Sequence, residues 1–386
     1  MINDMQTPPL KSRRNRASKK AQSAQKKRTL RLAVCLSVLS FCCYGRQIGV
    51  SVSAAENKAA KYQTTARAEC VLDAVSRRVL YAYNAQEQLP MASTTKIATA
   101  LTVLYNARKE GDETGVDGIL DKPFLIPPEG TGIEGSSVYL KGGDQTTRRE
   151  LLYGLMLRSG NDCAVTLALK TSGSVKRFAR DMNYVAKQVG ALHTVFKNPH
   201  GLPEKGHYTT AYDLSMITAA ALNDKIFAEI VATRRYEPRG WINKNKLLYD
   251  YDGAIGVKTG YTKQAGRCLV SAATRGDSTF VCTLLNCADT YGRTKTLLND
   301  AFSRYRTQTL HTATERVKLT IEGKEVYAAT QKDVRYPLLK EEKEYVKKEA
   351  IAFQESRRDA DGKEILGQLR IYLSNSLIFS ENLYKL

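Results

Sequence analysis

The sequence predicts an α/β protein, with an antiparallel sheet covered by helices and a small β-rich domain at the C terminus. Short apolar runs of strand length occur before residue 84 and again in 254–287, and helical periodicity lies between them. After about residue 312 the helical pattern largely stops and apolar residues alternate with polar ones. Strands on both sides of a run of helices indicate a sheet on which the helices pack.

The first half of the chain contains two predicted strands and several helical segments. The strands are Ala68–Asp73 and Arg78–Tyr83, and the helical segments follow Ser93, cover Leu151–Leu157 and Val165–Leu169, and run through Phe178–Val189. After Ser93, apolar residues recur at the i, i+3, i+4, i+7 spacing that is typical of a helix face. Residues 111–149 are rich in Gly and Pro, which predicts mostly loop.

The second half returns to strands. Thr210-Ala211-Tyr212-Asp213 predicts a helix start with a capping box, in which Asp213 is the capping carboxylate. The strands predicted after this helix are Ala254–Tyr261, Leu269–Thr274 and Phe280–Cys287. Arg275-Gly276-Asp277-Ser278 predicts a hairpin between the last two, and Asp361-Gly362 predicts a turn in the C-terminal region.

A chain of 386 residues is long enough for two domains. We predict a basic N terminus with a signal peptide in 1–54, a catalytic domain in 55–311 and a β-rich domain in 312–386. The apolar run Leu32–Cys43 is shorter than the about 20 residues that a membrane span needs, and it suits the core of a signal peptide. Val52-Ser53-Ala54 offers a cleavage site, so we expect an exported, extracytoplasmic protein; an uncleaved N-terminal anchor is the alternative.

The formal net charge is +20, and residues 1–54 hold eleven Lys or Arg and one acidic residue. The remaining +10 favours anionic surroundings such as a cell wall or a membrane surface. The sequence contains no nucleic-acid-binding motif, so a nucleic-acid partner is not expected. Membrane association is left open.

Five cysteines follow residue 54, and an odd number in an exported chain argues against a disulfide framework. We interpret them as inert core thiols. None has zinc-ligand spacing with histidine partners, and we predict neither a metal nor a cofactor.

Ser93-Thr94-Thr95-Lys96 places a hydroxyl and an amine three residues apart, on one face of a helix. A serine hydroxyl is a poor nucleophile until a base takes its proton. A lysine that is buried near other cations can be neutral and act as that base. The pattern alone is common, because serine often caps helices.

Two further motifs supply the remaining polar groups of such a site. Ser159-Gly160-Asn161 offers a hydroxyl that can relay a proton and an amide that can orient a peptide. In Lys258-Thr259-Gly260, Lys258 offers a positive charge for a carboxylate and Gly260 lets a substrate backbone approach closely. Each motif alone is common, so the prediction depends on all three occurring in this order, at a helix start, an inter-helix loop and a strand.

A Ser-His-Asp triad is disfavoured, because the sequence has four histidines and no Gly-x-Ser-x-Gly elbow. His200 lies in the turn-rich segment Asn198-Pro199-His200-Gly201-Leu202. We interpret it as a residue that holds this loop, with a place in the cleft as the alternative.

The motifs resemble those of the low-molecular-weight penicillin-binding proteins, which are serine D-alanyl-D-alanine carboxypeptidases. The matching stretches are Leu89–Lys96, Leu157–Asp162, Asn198–Leu202, Thr210–Leu214 and Gly256–Thr262. The resemblance spans roughly residues 66–290. It implies a serine β-lactamase/transpeptidase-like fold and makes 55–311 a penicillin-binding, transpeptidase-like catalytic domain.

The resemblance also implies a role for each motif residue. The implied catalytic residues are Ser93, Lys96 and Ser159, and the implied substrate-binding residues are Asn161, Lys258, Thr259, Gly260 and Tyr261. Ser93 is similar to the acylated nucleophile, Lys96 to its base and Ser159 to the proton shuttle. The backbone N–H groups of Ser93 and Tyr261 are similar to an oxyanion hole. The partners implied are the peptidoglycan stem peptide and β-lactam inhibitors.

Two other functions stay open at this point. A β-lactamase would share acylation but needs a carboxylate that holds the deacylating water, for which Glu129 and Glu134 are the available candidates. A catalytically silent penicillin-binding or wall-binding module is the second alternative. The family commonly anchors through a C-terminal amphipathic helix, and this sequence shows none.

Overall fold

The computed structural model describes residues 64–111 and 114–386. The predicted signal peptide in 1–54 lies outside the described residues. No helix in the described part of the chain is long and apolar enough to cross a membrane.

The described residues form helices and strands whose order follows the predicted one. The strands are β1 (Ala68–Asp73), β2 (Val79–Tyr83), β3 (Phe124–Leu125), β4 (Gln145–Thr146), β5 (Arg235–Tyr236), β6 (Trp241–Ile242), β7 (Ala254–Thr262), β8 (Gly266–Arg275), β9 (Ser278–Leu285), β10 (Arg306–His311), β11 (Val317–Ile321), β12 (Lys324–Ala329), β13 (Val334–Leu338), β14 (Val346–Arg358), β15 (Glu364–Leu373) and β16 (Ser376–Lys385). The helices are α1 (Lys96–Glu110), α2 (Gly115–Asp121), α3 (Arg148–Tyr153), α4 (Asn161–Ser172), α5 (Val175–Gln188), α6 (Ala211–Leu222), α7 (Lys225–Ala232), α8 (Leu247–Asp250) and α9 (Thr290–Arg304).

The central sheet has the strand order β2-β1-β9-β8-β7, and all its pairings are antiparallel. Because side chains alternate along a strand, the sheet has two apolar faces. Leu72 packs in the larger core under most of the helices, while its neighbour Val71 packs with α9 on the other face. The predicted antiparallel sheet covered by helices is therefore confirmed.

Helix α1 runs through the larger core, and ten of its fifteen residues are buried. It packs against α4, α5 and α6. A helix that is apolar nearly all round belongs inside a protein. Its first residue, Lys96, is completely buried, although lysine is ordinarily a charged residue.

The C-terminal region is β-rich, as predicted. Its five-stranded sheet has the order β11-β12-β16-β15-β14, and β10 pairs separately with β13. The second pairing joins residues on both sides of the predicted domain boundary at 311/312, so we propose that the second domain begins at about residue 305 instead. Leu310 of β10 packs in the same core as Ile371 and Leu383, which supports this placement.

Most of the predicted elements match those observed, but helices α7, α8 and α9 are not among the predicted ones, and some details differ. The region 111–149 is mostly loop but contains the short helix α2. The helical segment at Val165–Leu169 is part of a longer helix, α4. The predicted capping box is half formed: Thr210 caps α6 by accepting a hydrogen bond from the backbone of Asp213. The Asp213 carboxylate is engaged elsewhere, because it accepts hydrogen bonds from the His193 backbone at 2.7 Å and from Thr194 Oγ1 at 2.7 Å.

Candidate active site

The predicted nucleophile lies in a tight turn at the start of α1. Residues Ala92–Thr95 form one 3-10 turn, and Ala92 has a positive φ of 49°. A non-glycine residue in this region is uncommon and is frequent at functional sites. The turn brings Ser93 Oγ to 3.0 Å from Lys96 Nζ. The predicted serine–lysine pair is therefore in hydrogen-bond contact.

Lys96 Nζ has two further partners, both of which are oxygens that can only accept. It donates to Asn161 Oδ1 at 2.7 Å and to the backbone carbonyl of His200 at 2.7 Å. Burial, and then the charge of Lys258, lowers the pKa of Lys96 well below its usual range. A neutral amine has two N–H groups and one lone pair. The two acceptors can take both N–H groups, which leaves the lone pair for the Ser93 hydroxyl.

Asn161 joins the second motif to the first. It is the first residue of α4, and its backbone N–H donates to the carbonyl of Ser136 at 2.7 Å. Its Nδ2 donates to the carbonyl of Glu134 at 2.5 Å, while its Oδ1 accepts from Lys96. Because an amide NH₂ has two hydrogens, one donor of Asn161 is left for a substrate.

Ser159 reaches its position through an irregular helix. Helix α3 continues as a π-helical segment, Gly154–Arg158, and Ser159 follows with φ 65° and ψ 31°. Extra residues of this kind in helices often occur at functional sites. Ser159 is buried and stands two residues before Asn161, so the predicted inter-helix loop is confirmed and has a left-handed residue at its centre.

A buried carboxylate that the motifs alone do not reveal holds the loop over the site. Asp162 accepts hydrogen bonds from the backbone N–H groups of Val138 and Leu140, at 3.1 Å each, and from Ser137 Oγ at 2.6 Å. This clamp positions the segment 134–140, whose carbonyls contact Asn161. Asp162 is a positioning residue whose only sequence signal is its place directly after Ser159-Gly160-Asn161.

The segment Asn198–Leu202 packs directly against the nucleophile turn. A Cβ on Gly201, which has φ 90°, would meet the carbonyl oxygen of Ala92 at 1.9 Å, so only glycine fits there. His200 contributes its backbone carbonyl to Lys96, and its Nδ1 accepts from the Leu202 backbone at 3.2 Å. Burial, with the charge of Lys96, lowers the pKa of His200 to about 3. These contacts support the interpretation of His200 as a residue that holds a loop.

The third motif lies on β7, at the edge of the central sheet. Lys258 is 2% exposed, and its Nζ donates to the carbonyl of Thr259 at 2.9 Å. A Cβ on Gly260 would lie 3.1 Å from the backbone nitrogens of Ser93 and Thr94. Gly260 therefore lets β7 lie directly against the nucleophile turn. Tyr261 is 65% exposed beside it.

Two further cations, Lys244 near Lys258 and Arg158 near Lys244, complete the electrostatics of the cleft. Burial, and then the charge of Lys244, lowers the pKa of Lys258 to about 7. Lys244 is itself perturbed, because burial and the nearby Arg158 lower its pKa. Lys244 lies outside the predicted motifs, and Arg158 lies in the matching stretch Leu157–Asp162 but has no predicted role. Together with Lys258 they make this side of the cleft electropositive.

The structure thus brings together Ser93, Lys96 and Asn161 by direct contacts, and it places β7 against the same turn. In the described part of the chain, no group of His, Cys, Asp or Glu side chains has an arrangement that could hold a metal ion. The five described cysteines are free and buried. Burial raises the pKa of Cys70 to about 12 and that of Cys268 to about 11, as is typical of unreactive thiols.

Comparison with known proteins agrees with this geometry. Residues 53–289 match the sequence profile of the D-alanyl-D-alanine carboxypeptidases, peptidase family S11. The chain is 32% identical over 262 residues to the D-alanyl-D-alanine carboxypeptidase DacF of Bacillus subtilis (strain 168), covering 65% of this chain and 66% of that protein. It is 36% identical over 224 residues to the D-alanyl-D-alanine carboxypeptidase of Streptomyces sp. (strain K15), covering 53% of this chain and 75% of that protein.

The fold is also found in solved structures. Penicillin binding protein 5 from Haemophilus influenzae aligns with a TM-score of 0.71 and 26% identity, over 84% of this chain and 97% of that one. The Streptomyces K15 DD-transpeptidase aligns with a TM-score of 0.57 and 32% identity, over 63% of this chain and 99% of that one. The family profile covers more than half of the sequence, and its region contains every motif of the cleft. The chain therefore belongs to the D-alanyl-D-alanine carboxypeptidase family of serine peptidases, S11.

Proposed function

We propose that this protein is a serine D,D-carboxypeptidase that removes the terminal D-alanine from peptidoglycan pentapeptide stems through an acyl-enzyme, and that penicillin inhibits it. The observation that carries the proposal is the environment of Lys96 Nζ, which two acceptors and complete burial prepare as a neutral base beside Ser93. The chain spans about two thirds of the length of the Bacillus relative, so the activity is proposed from this chain's own site as well as from its family.

In the acylation step, Ser93 Oγ attacks the carbonyl carbon of the penultimate D-alanine while Lys96 Nζ takes the hydroxyl proton. The tetrahedral intermediate collapses, the C–N bond breaks, and Lys96 returns the proton to the leaving D-alanine amine by way of Ser159. Water then attacks the ester, with the same base taking its proton, and the shortened stem leaves. A base is best suited to such proton transfer when its pKa lies near the operating pH. The lowered pKa of Lys96 supports this role.

The remaining residues would bind and polarise the substrate. We assign the oxyanion hole to the backbone N–H groups of Ser93 and Tyr261, which lie on the two elements that meet at Gly260. Lys258 and Thr259 would bind the terminal carboxylate, with Lys244 adding positive charge. The free Nδ2 hydrogen of Asn161 would orient the peptide amide. Lys258 becomes fully charged when a carboxylate binds, since an anion raises the pKa of a neighbouring lysine.

We further propose the setting in which the enzyme acts. A peptidoglycan substrate requires extracytoplasmic action, in the cell wall or at the outer face of the cytoplasmic membrane, and the basic N terminus with its apolar run supports export. We propose 55 to about 304 as the catalytic domain and the remainder as a β-rich appendage to it.

One paired assay tests the function. The full chain is incubated with a pentapeptide that ends in D-Ala-D-Ala, and separately with a labelled penicillin, and D-alanine release and protein-bound label are followed. We expect D-alanine release, one label per chain on Ser93, and slow loss of that label. Rapid penicillin turnover without D-alanine release would instead support a β-lactamase, for which both Glu129 and Glu134 have exposed side chains. Label without turnover of either compound would support a silent penicillin-binding module.

A further inference from the structure

The outer face of helix α5 concentrates positive charge. Lys176, Arg177, Arg180 and Lys187 are exposed and lie on one side of this helix, while Phe178 and other apolar residues face the core. We call these four cations the α5 basic stripe. It extends over twelve residues, from Lys176 to Lys187, or about 16 Å at the rise of an α-helix.

The positions of these cations are electrostatically unfavourable for the helix itself. Lys176 and Arg177 occupy the first turn, which contains no acidic residue, although the N-terminal end of a helix favours negative charge. Lys176 and Arg180 are four residues apart, a spacing at which like charges destabilise a helix. An anion bound at this end would reduce both the repulsion between the two cations and their unfavourable interaction with the helix N terminus.

No carboxylate in the described part of the chain neutralises the stripe by an ion pair. The acid within it, Asp181, accepts a hydrogen bond from Ser172 Oγ at 2.5 Å and pairs with none of the four cations. By contrast, Arg149 on α3 pairs with both Asp117 and Asp121. The exposed face of α5 therefore carries four positive charges that no ion pair in the described residues neutralises.

A cation–aromatic cluster borders the stripe at its centre. The rings of Tyr105 and Tyr184 lie 6.1 Å apart, and Lys109 Nζ lies 4.3 Å from the centre of the first and 5.4 Å from that of the second. The rings hold this fifth cation in place beside the stripe by cation–π contacts. Tyr184 is 49% exposed, so the cluster reaches the surface beside the stripe.

We propose that the α5 basic stripe, with Lys109, is a docking surface for a linear, phosphate-bearing polyanion of the cell envelope. Three of the four charges, Lys176, Arg180 and Lys187, follow one line along a single helix, which suits a linear chain of phosphates. A bilayer surface would require cations spread over a plane, and α5 itself exposes no large aliphatic side chain for insertion. Helix α5 packs on α1, and Met182 contacts Thr99 one turn beyond Lys96, so the docked polymer would lie one helix away from the cleft.

The binding test uses the full chain and long-chain inorganic polyphosphate as the probe. The charge-reversed variant Lys176→Glu/Arg180→Glu/Lys187→Glu is compared with the matched variant Lys324→Glu/Lys347→Glu/Lys363→Glu. The second set lies on exposed positions of the C-terminal domain and changes the net charge equally. We expect the α5 variant to bind polyphosphate at least about tenfold more weakly, about 1.4 kcal/mol, and the matched variant to bind like the parent. Both should release D-alanine from a soluble pentapeptide at the parental rate.

A second measurement locates the probe on the folded protein. Acetylation of lysines is mapped with and without polyphosphate, and we expect protection of Lys109, Lys176 and Lys187 but not of Lys324, Lys347 or Lys363. Equal protection of both sets, or equal loss of affinity in both variants, would show binding by net charge alone and overturn the proposal. Stronger binding of the parent to phosphatidylglycerol vesicles than to polyphosphate, lost in the α5 variant, would overturn it in favour of a membrane surface.

Discussion

The cations buried in the cleft and the cation buried at the junction between the central sheet and the C-terminal region have different kinds of partner. In the cleft, Lys96 and Lys258 are completely or almost completely buried, and their partners are neutral oxygens. At the junction, Arg78 forms a two-pronged pair with Glu342, at 2.8 and 2.6 Å, and also donates to the carbonyl of Pro337. Its guanidinium lies about 5 Å from the rings of Tyr305 and Tyr336.

The different partners have opposite effects on the pKa values of the buried cations. Burial lowers the pKa of Lys96 and Lys258, because nothing nearby favours their charged forms enough to offset it. Burial also lowers the pKa of Arg78, but the hydrogen bond and charge of Glu342 and the two tyrosines outweigh it and leave that pKa raised. A cation without a carboxylate can exchange a proton with a substrate, whereas a paired arginine can only hold two surfaces together.

The largest effect should come from the unpaired base and its nucleophile. Lys96→Ala and Ser93→Ala should each lower kcat by roughly 10⁴-fold or more, and the double variant should be no worse, because nucleophile and base act as a unit. D-alanine release under single-turnover conditions measures this. Thermal unfolding serves as the control and should show folded variants. A Lys96→Ala enzyme with more than a tenth of the parental rate would mean that another group is the base.

Breaking the paired cation should instead affect stability. Glu342→Gln leaves a buried guanidinium without its counter-charge and should lower the free energy of unfolding by about 3 kcal/mol, at the low end for one member of a buried ion pair. Urea unfolding measures the change, and the exposed neighbour substitution Glu341→Gln is the matched control. Turnover of a soluble pentapeptide should stay at the parental rate. Loss of turnover with unchanged stability would reverse the comparison.

Neutralising the second cleft lysine should affect recognition. A charge-assisted hydrogen bond contributes about 1.5–3 kcal/mol, so Lys258→Gln should slow cleavage of a pentapeptide with a free C terminus by roughly one to two decades. The same peptide amidated at its C terminus should be slowed much less. Lys263→Gln, an exposed lysine in the turn after β7, is the control. If the parent cleaves acid and amide equally fast, Lys258 has no role in binding the carboxylate.

The smallest effect should be the pH dependence. Lys96 must be neutral to act as a base, so kcat/KM should fall as the pH decreases through its lowered pKa. Lys258 must be protonated to bind a carboxylate, and its pKa of about 7 predicts a second fall as the pH increases above neutrality. Lys258→Arg should remove only this alkaline limb, because arginine stays charged. An alkaline limb that persists in the arginine variant would belong to a different group.

The parts predicted correctly from the sequence depend on local spacing. The strands of the central sheet, the hairpin at Arg275–Ser278 and the serine–lysine contact all follow from residues that are close together in the chain. The five described cysteines are free and buried, in agreement with their interpretation as core thiols. Each motif was placed in its observed context, a helix start, an inter-helix loop and a strand.

The parts that were missed depend on contacts between distant residues. Asp162 holds a loop more than twenty residues earlier, and no periodicity signals that contact. Lys244 is recognisable only once β7 and the π-helical segment are placed beside it. The domain boundary that we propose near residue 305, instead of the predicted 312, also depends on such a contact, since β10 pairs with β13 across a long connection.

The position of β7 at the sheet edge limits the length of peptide that can pair with it. Val257 and Lys258 are buried, and Gly256 lies against α7, so the accessible stretch of this edge begins at Thr259 and is only a few residues long. A peptide that pairs with it gains backbone hydrogen bonds for about that length and then meets the buried ammonium group. A continuing chain would have to desolvate this cation without a counter-charge, whereas a chain that stops there supplies one. If Lys258 binds the substrate carboxylate as we propose, this sheet edge should favour peptide ends over peptide middles.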